Sequence, residues 1–185
     1  EWLARTVADV LAHSELDTEV IAVIDGEHKG DRPEPHPRLR LIELTDSIGQ
    51  RAATNLAAQE ARGRYVMKLD AHCALDQGFD RKCVEALEGH PDWTLVPVQR
   101  NLHVFDWVCV ACGHHTYMGP TLAQCEKCGF TEPQRREMVW QPRGGTRTDF
   151  WRFDHEMHFQ YRGAWQGRRL EDADGNIADT MSLLG

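Results

Sequence analysis

Two Cys-x-x-Cys pairs constrain this chain more than anything else in it. Cys109-x-x-Cys112 and Cys125-x-x-Cys128 are separated by twelve residues, and each pair is followed by a glycine, Gly113 and Gly129. Each such turn presents two thiolates, and two turns together complete a tetrahedral zinc site with sulfurs at about 2.3 Å from the metal. Residues 105–132 contain several glycines and little apolar periodicity, so a module built there needs the metal in order to fold. Two disulfides, or four unmetallated thiols, are the alternative readings. Four thiolates close the coordination sphere and leave zinc no open position, which makes its expected role structural. His114 and His115 stand beside the first pair and are expected to remain outside that sphere. The other two cysteines, Cys73 and Cys83, have no paired spacing. They read as reduced thiols, Cys83 in a helix core, and this usage points to a reducing, cytoplasmic setting.

Outside the module, apolar runs alternate with helical periodicity. Trp2, Leu3, Val7, Val10 and Leu11 recur at helical intervals and predict an amphipathic helix over residues 2–13. Residues 19–24 form a β-branched run closed by Asp25-Gly26, and residues 39–44, 64–69 and 93–98 read as three further strands. Helices are predicted over residues 48–61, capped by Asp46 or Ser47 and ending near Gly63, and over residues 79–87. This alternation calls for right-handed crossovers and an α/β fold: an open, mainly parallel sheet with flanking helices. The expected layout is an α/β portion over residues 1–104, the zinc-ribbon insertion over residues 105–133, and a continuation of irregular β-structure and loops over residues 134–185.

Ligands of open parallel sheets bind beyond the carboxyl ends of the strands. Asp25 closes the first predicted strand there, and Asp70 closes the third, followed at the second position by His72. A carboxylate and an imidazole so spaced can face one cleft and hold a divalent ion against a diphosphate. The bland readings stay open: Asp70 as a turn cap, His72 as a helix cap, and Asp25 as half of an ordinary Asp-Gly turn.

The stretches Ile48-Gly49-Gln50-Arg51-Ala52-Ala53-Thr54-Asn55-Leu56-Ala57 and Gly63-Arg64-Tyr65-Val66-Met67-Lys68-Leu69-Asp70-Ala71-His72-Cys73 resemble the glycine-led helix, strand and metal motif of the family 2 glycosyltransferases of GT-A fold. The Leu-Asp-x-His-Cys form is similar to that of the polypeptide N-acetylgalactosaminyltransferases. The resemblance spans residues 1–100. It implies transfer of a sugar from a nucleotide-diphosphate donor to an acceptor, which could be a glycan, a protein or a small molecule. It further implies Asp70 and His72 as ligands of Mn²⁺ or Mg²⁺, Asp25 as a contact to the base or ribose, and Arg51 and Asn55 on the helix lining the donor site. Only Glu1 matches the end of the family's opening Pro-x-x-Asn-Glu-like loop, and no acceptor segment is evident. The chain is therefore expected to be incomplete at both ends, with the catalytic base beyond Gly185. A cysteine insertion is not a general feature of the family, so a non-catalytic interaction module on a degenerate α/β scaffold is the competing reading.

Composition excludes some classes. A hydrophobic content of 41% over 185 residues is enough to bury a core without disulfides. The formal net charge of −8 argues against a general nucleic-acid or anionic-membrane surface, despite short basic runs at residues 134–136 and 143–147. No stretch approaches the roughly 20 apolar residues of a membrane span, and the opening residues do not form the basic, apolar, small-residue series expected of a signal peptide. His155-Glu156-Met157-His158 has its histidines three apart rather than the four of a zinc-protease helix. Asp172 to Asn176 lacks the glycine position and closing glutamate of a calcium loop and reads as a hairpin turn. Trp140, Trp151 and Trp165 read as buried packing in preference to sugar-stacking platforms.

Overall fold

The computed structural model describes residues 2–97, 100–120, 122–143, 150–153, 155–156 and 159–161. The chain divides into two compact units between Leu95 and Val96.

The first unit opens with α1, Leu3–His13, which buries Thr6, Val7 and Val10 on its inner face. Each buried valine contributes about 1.5–3 kcal/mol. The helix stops at Ser14, which turns extended, and the carbonyl of Leu11 left open there accepts the Arg38 guanidinium at 2.9 Å. Strand β1, Val20–Asp25, and strand β2, Leu39–Leu44, pair in parallel, with Val20 opposite Leu39 and Asp25 opposite Leu44. Ala22 and Ile24 of β1 are buried, and both α1 and the next helix, α2 (Gln50–Gln59), pack against this strand. Helix α3 is Phe79–Leu87. All three predicted helices and the parallel pair of strands are thus present, and the α/β class holds.

Two expected strands are not formed. Residues 64–69 lie outside any strand, and Val66 is 63% exposed. An apolar hexapeptide becomes a strand only beside a neighbour that offers a hydrogen-bond ladder, and among the described residues β1 pairs with β2 alone. Residues 93–97 are also irregular. There the N–H of Trp93 donates to the carbonyl of His90 at 3.2 Å and the two rings stack at 3.5 Å, so a turn takes the start of the segment.

The second unit is antiparallel. Strand β3, Leu102–Val108, lies between β4, His115–Tyr117, and β5, Arg135–Pro142. A further antiparallel pair consists of β6, Phe150–Phe153, and β7, Phe159–Tyr161. Strand β3 begins ahead of the cysteines, and β5 is more regular than the sequence suggested. Trp165 and residues 172–176 lie outside the described residues, as does the side chain of Trp151. Trp140 is half-buried in β5, and His155 is exposed.

Candidate functional site

The two cysteine turns are built alike. In the first, the Cys109 carbonyl accepts the Gly113 N–H at 2.8 Å and the Cys109 N–H donates to the His114 carbonyl at 2.9 Å. In the second, the Cys125 carbonyl accepts the Gly129 N–H at 2.8 Å and the Cys125 N–H donates to the Phe130 carbonyl at 2.8 Å. Gly113 (φ 67°) and Gly129 (φ 73°) are left-handed, which is why both turns close on glycine. The sulfurs of Cys109 and Cys128, and those of Cys112 and Cys125, are 3.7 Å apart. Sulfurs at tetrahedral corners around zinc stand about 3.8 Å apart when each metal–sulfur bond is about 2.3 Å. A disulfide needs about 2.05 Å, and all six cysteines are free thiols. The four cysteines therefore form a group able to hold a metal ion such as zinc, with Cys109 and Cys125 buried and the other two exposed.

The thiols share their protons unequally. The Cys128 N–H pulls Cys125 down to about 7. The Phe130 N–H pulls Cys128 down too, but its hydrogen bonds with Cys112, Cys125 and Cys109, together with burial, push it up to about 12. A metal bound by all four sulfurs would take them as thiolates, so its binding would release the protons they hold.

Neither histidine beside the first turn belongs to the set. His115 Nδ1 instead lies 3.2 Å from Asp106 Oδ2, while His103 Nε2 lies 2.6 Å from Asp106 Oδ1. Burial pushes the Asp106 carboxyl up, but these two rings outweigh it and leave the group below the usual carboxylate range. The sequence gives no local sign of this arrangement, because β4 carries His115 back to β3.

In the first unit, Asp25 sits at the end of β1 and faces the start of α2. Its carboxylate accepts the Ile48 N–H at 2.6 Å, the Gly49 N–H at 2.9 Å and the Ser47 hydroxyl at 2.9 Å. The Ile48 N–H is the main cause of its lowered pKa. The expected cap of α2 by Asp46 or Ser47 is absent: Gly49 occupies the cap position without a side-chain bond, and Asp25 supplies the carboxylate from a distant strand. Asp25 is thereby joined to the helix that carries Arg51 and Asn55, both exposed and one turn apart.

Asp70 and His72 are both exposed on a short loop, neither sealed in the interior. Asp70 pairs with Lys68 at 3.0 Å. The loop is tied to α1: the Cys73 N–H donates to Thr6 Oγ1 at 3.1 Å, and the Leu75 N–H donates to Asp9 Oδ2 at 2.6 Å. Burial raises the pKa of Cys73, which keeps it a thiol. Cys83 is half-buried in α3. Among the described residues, no hydrogen bond or ion pair joins the Asp25 group to Asp70 or His72.

Among the described residues, Asp80, which sequence reasoning passed over, is the most heavily engaged carboxylate. It accepts the N–H groups of Glu15 (3.0 Å) and Leu16 (2.9 Å) and the Thr18 hydroxyl (2.6 Å). Burial pushes its pKa up, but those donors and the Arg81 N–H hold it at about 2.

A family model described as Glycosyl transferase family 2 matches residues 1–108, more than half of the chain. No curated protein and no solved structure matches. The matched stretch ends at Val108, immediately before Cys109, the first of the four clustered cysteines. Among the described residues, no helix is long and apolar enough to cross a membrane.

Proposed function

The chain belongs to glycosyl transferase family 2, and from that premise we propose that it binds a nucleoside-diphosphate sugar through a divalent cation held by Asp70 and His72. The observation that carries this reading is that both side chains stand exposed on one loop within the matched residues. A carboxylate and an imidazole suit Mn²⁺ or Mg²⁺, and two protein ligands leave most of an octahedral sphere for diphosphate oxygens and water. The cation, when bound, offsets the negative charge that collects on the departing nucleoside diphosphate. Lys68 pairs with the Asp70 carboxylate at 3.0 Å, so a cation bound there would compete with it. Asp25 contacts the donor's base or ribose, and Arg51 and Asn55 stand on the helix that lines the donor site, whose start Asp25 fixes.

The four cysteines take a structural zinc ion in a module of residues 105–133, inserted between residues 1–104 and 134–185 of the same domain. Calorimetric titration of the zinc-loaded chain with UDP, GDP and dTDP, with and without Mn²⁺, tests the reading. At least one nucleotide should bind with Mn²⁺ and lose that metal dependence in the Asp70→Ala/His72→Ala variant. Identical titrations for wild type and variant would rule the metal assignment out.

A further inference from the structure

The loop that carries Asp70 and His72 has no sheet to hold it. Residues 64–69 make no ladder, so the position of the loop depends on what grips it from the other side. That grip comes from α1. Thr6 and Asp9 lie three residues apart on one face of the helix, and their side chains accept the N–H groups of Cys73 and Leu75. Thr6 is 4% exposed although polar, and its hydroxyl is what gives the Cys73 N–H an acceptor in the packed interface. Further along, the Gly78 N–H donates to the His13 carbonyl at 2.8 Å, and Asp80 clamps Glu15 and Leu16. Attachments therefore run in register from residues 73 to 80 against residues 6 to 16, and the first of them falls immediately after His72.

We infer that Thr6 and Asp9 are positioning residues for the Asp70–His72 pair, acting through the backbone of Cys73 and Leu75 without touching cation or donor. The inference rests on the proposed role of Asp70 and His72. Groups that orient metal ligands from behind cost about 10–100-fold in metal affinity when they are removed. The same loss is expected here, because a released loop must be ordered again each time the cation binds. Asp9 Oδ2 also meets His13 Nδ1 at 3.2 Å, so the carboxylate is steadied on its own helix while it holds Leu75.

The test uses the full zinc-loaded chain, with Mn²⁺ affinity measured in the presence of UDP, GDP or dTDP at a temperature where circular dichroism shows every variant folded. Thr6→Val keeps the shape and burial of the side chain but removes the acceptor, and Thr6→Ser restores it. Thr6→Val and Asp9→Ala should each weaken Mn²⁺ binding by about tenfold or more, while Thr6→Ser stays close to wild type. In an Asp70→Ala background Thr6→Val should cause no further loss. If Thr6→Val and Asp9→Ala bind like wild type while Asp70→Ala does not, positioning by α1 is wrong and the metal assignment stands. If wild type and Asp70→Ala respond alike to all three nucleotides, the metal assignment itself fails and takes the positioning role with it. Should Thr6→Val not fold, Asp9→Ala decides, since Asp9 lies nearer the surface.

Discussion

The two units solve the same problem, holding an exposed turn in a fixed geometry, by opposite means. In the cysteine module, four side chains from two turns converge on one point, and little apolar core stands behind them: Val104 and Val108 are buried, but Val110 is 58% exposed. In the first unit the Asp70–His72 loop has no such centre and is held by hydrogen bonds from an amphipathic helix whose valines are already buried. With zinc bound as proposed, the first arrangement would stand or fall with the metal, and the second with the packing and capping of ordinary secondary structure. The metal-dependent region should therefore fail all at once, and the helix-dependent one by degrees.

The largest effect should follow from removing the metal. Zinc binding supplies on the order of 10 kcal/mol in small four-ligand modules. Chelation, or Cys109→Ser at the most buried of the four thiols (1% exposed), should erase the amide resonances of β3, β4 and β5 while leaving those of α1, β1 and β2 in place. Stoichiometric zinc in wild type and its loss in the variant provide the matching measurement. Collapse of both units together would break the contrast.

Next comes Asp80→Ala, which takes away acceptors from Glu15, Leu16 and Thr18 at once. Losing these part-buried hydrogen bonds to a carboxylate should cost about 2 kcal/mol in a urea transition followed through the first unit, with zinc affinity unaltered. Acid probes the same carboxylate. Its folded pKa of about 2 lies below the ordinary 3.8. The stability it contributes is therefore fully present above about pH 3.8 and is lost as pH falls toward 2, about 2 kcal/mol in all. Asp80→Asn should flatten that part of the acid curve. An unchanged slope would mean that Asp80 is not what joins α3 to the end of α1.

What the sequence made visible, and what it hid, follows the same division. The cysteine turns are local: Cys109 to Gly113 and Cys125 to Gly129 each contain all that their geometry needs, so the spacing alone foretold them. Helix α1, strands β1 and β2, and helices α2 and α3 were legible because apolar periodicity is also local. Residues 64–69 misled because a strand is a property of two segments, and the apolar pattern carries no information about whether a neighbour is present. The attachments from Thr6 to Cys73, Asp9 to Leu75 and Asp80 to Glu15 were hidden for a related reason. Each joins residues more than sixty apart, and nothing in a lone threonine or aspartate on a helix announces its partner. Asp25 was legible as a strand-end carboxylate, but its grip on Ile48 and Gly49 was not.

The smallest effect separates metal from backbone within the cysteine module itself. Gly113 and Gly129 are left-handed, and a Cβ added at either would meet nothing within 4 Å. Alanine there brings no clash, only the conformational cost of a left-handed L-residue, about 1–2 kcal/mol. If the metal carries the module, that cost should appear as zinc affinity lowered by about tenfold in a chelator competition, equally for Gly113→Ala and Gly129→Ala because the two turns share one geometry. The urea transition of the first unit should not move. Unequal losses would show that one turn is braced by something besides the metal. In that case the smaller loss should fall on the turn of Cys109, since His114 passes directly into β4 and its ladder with β3, whereas no strand follows Phe130 until β5 begins at Arg135.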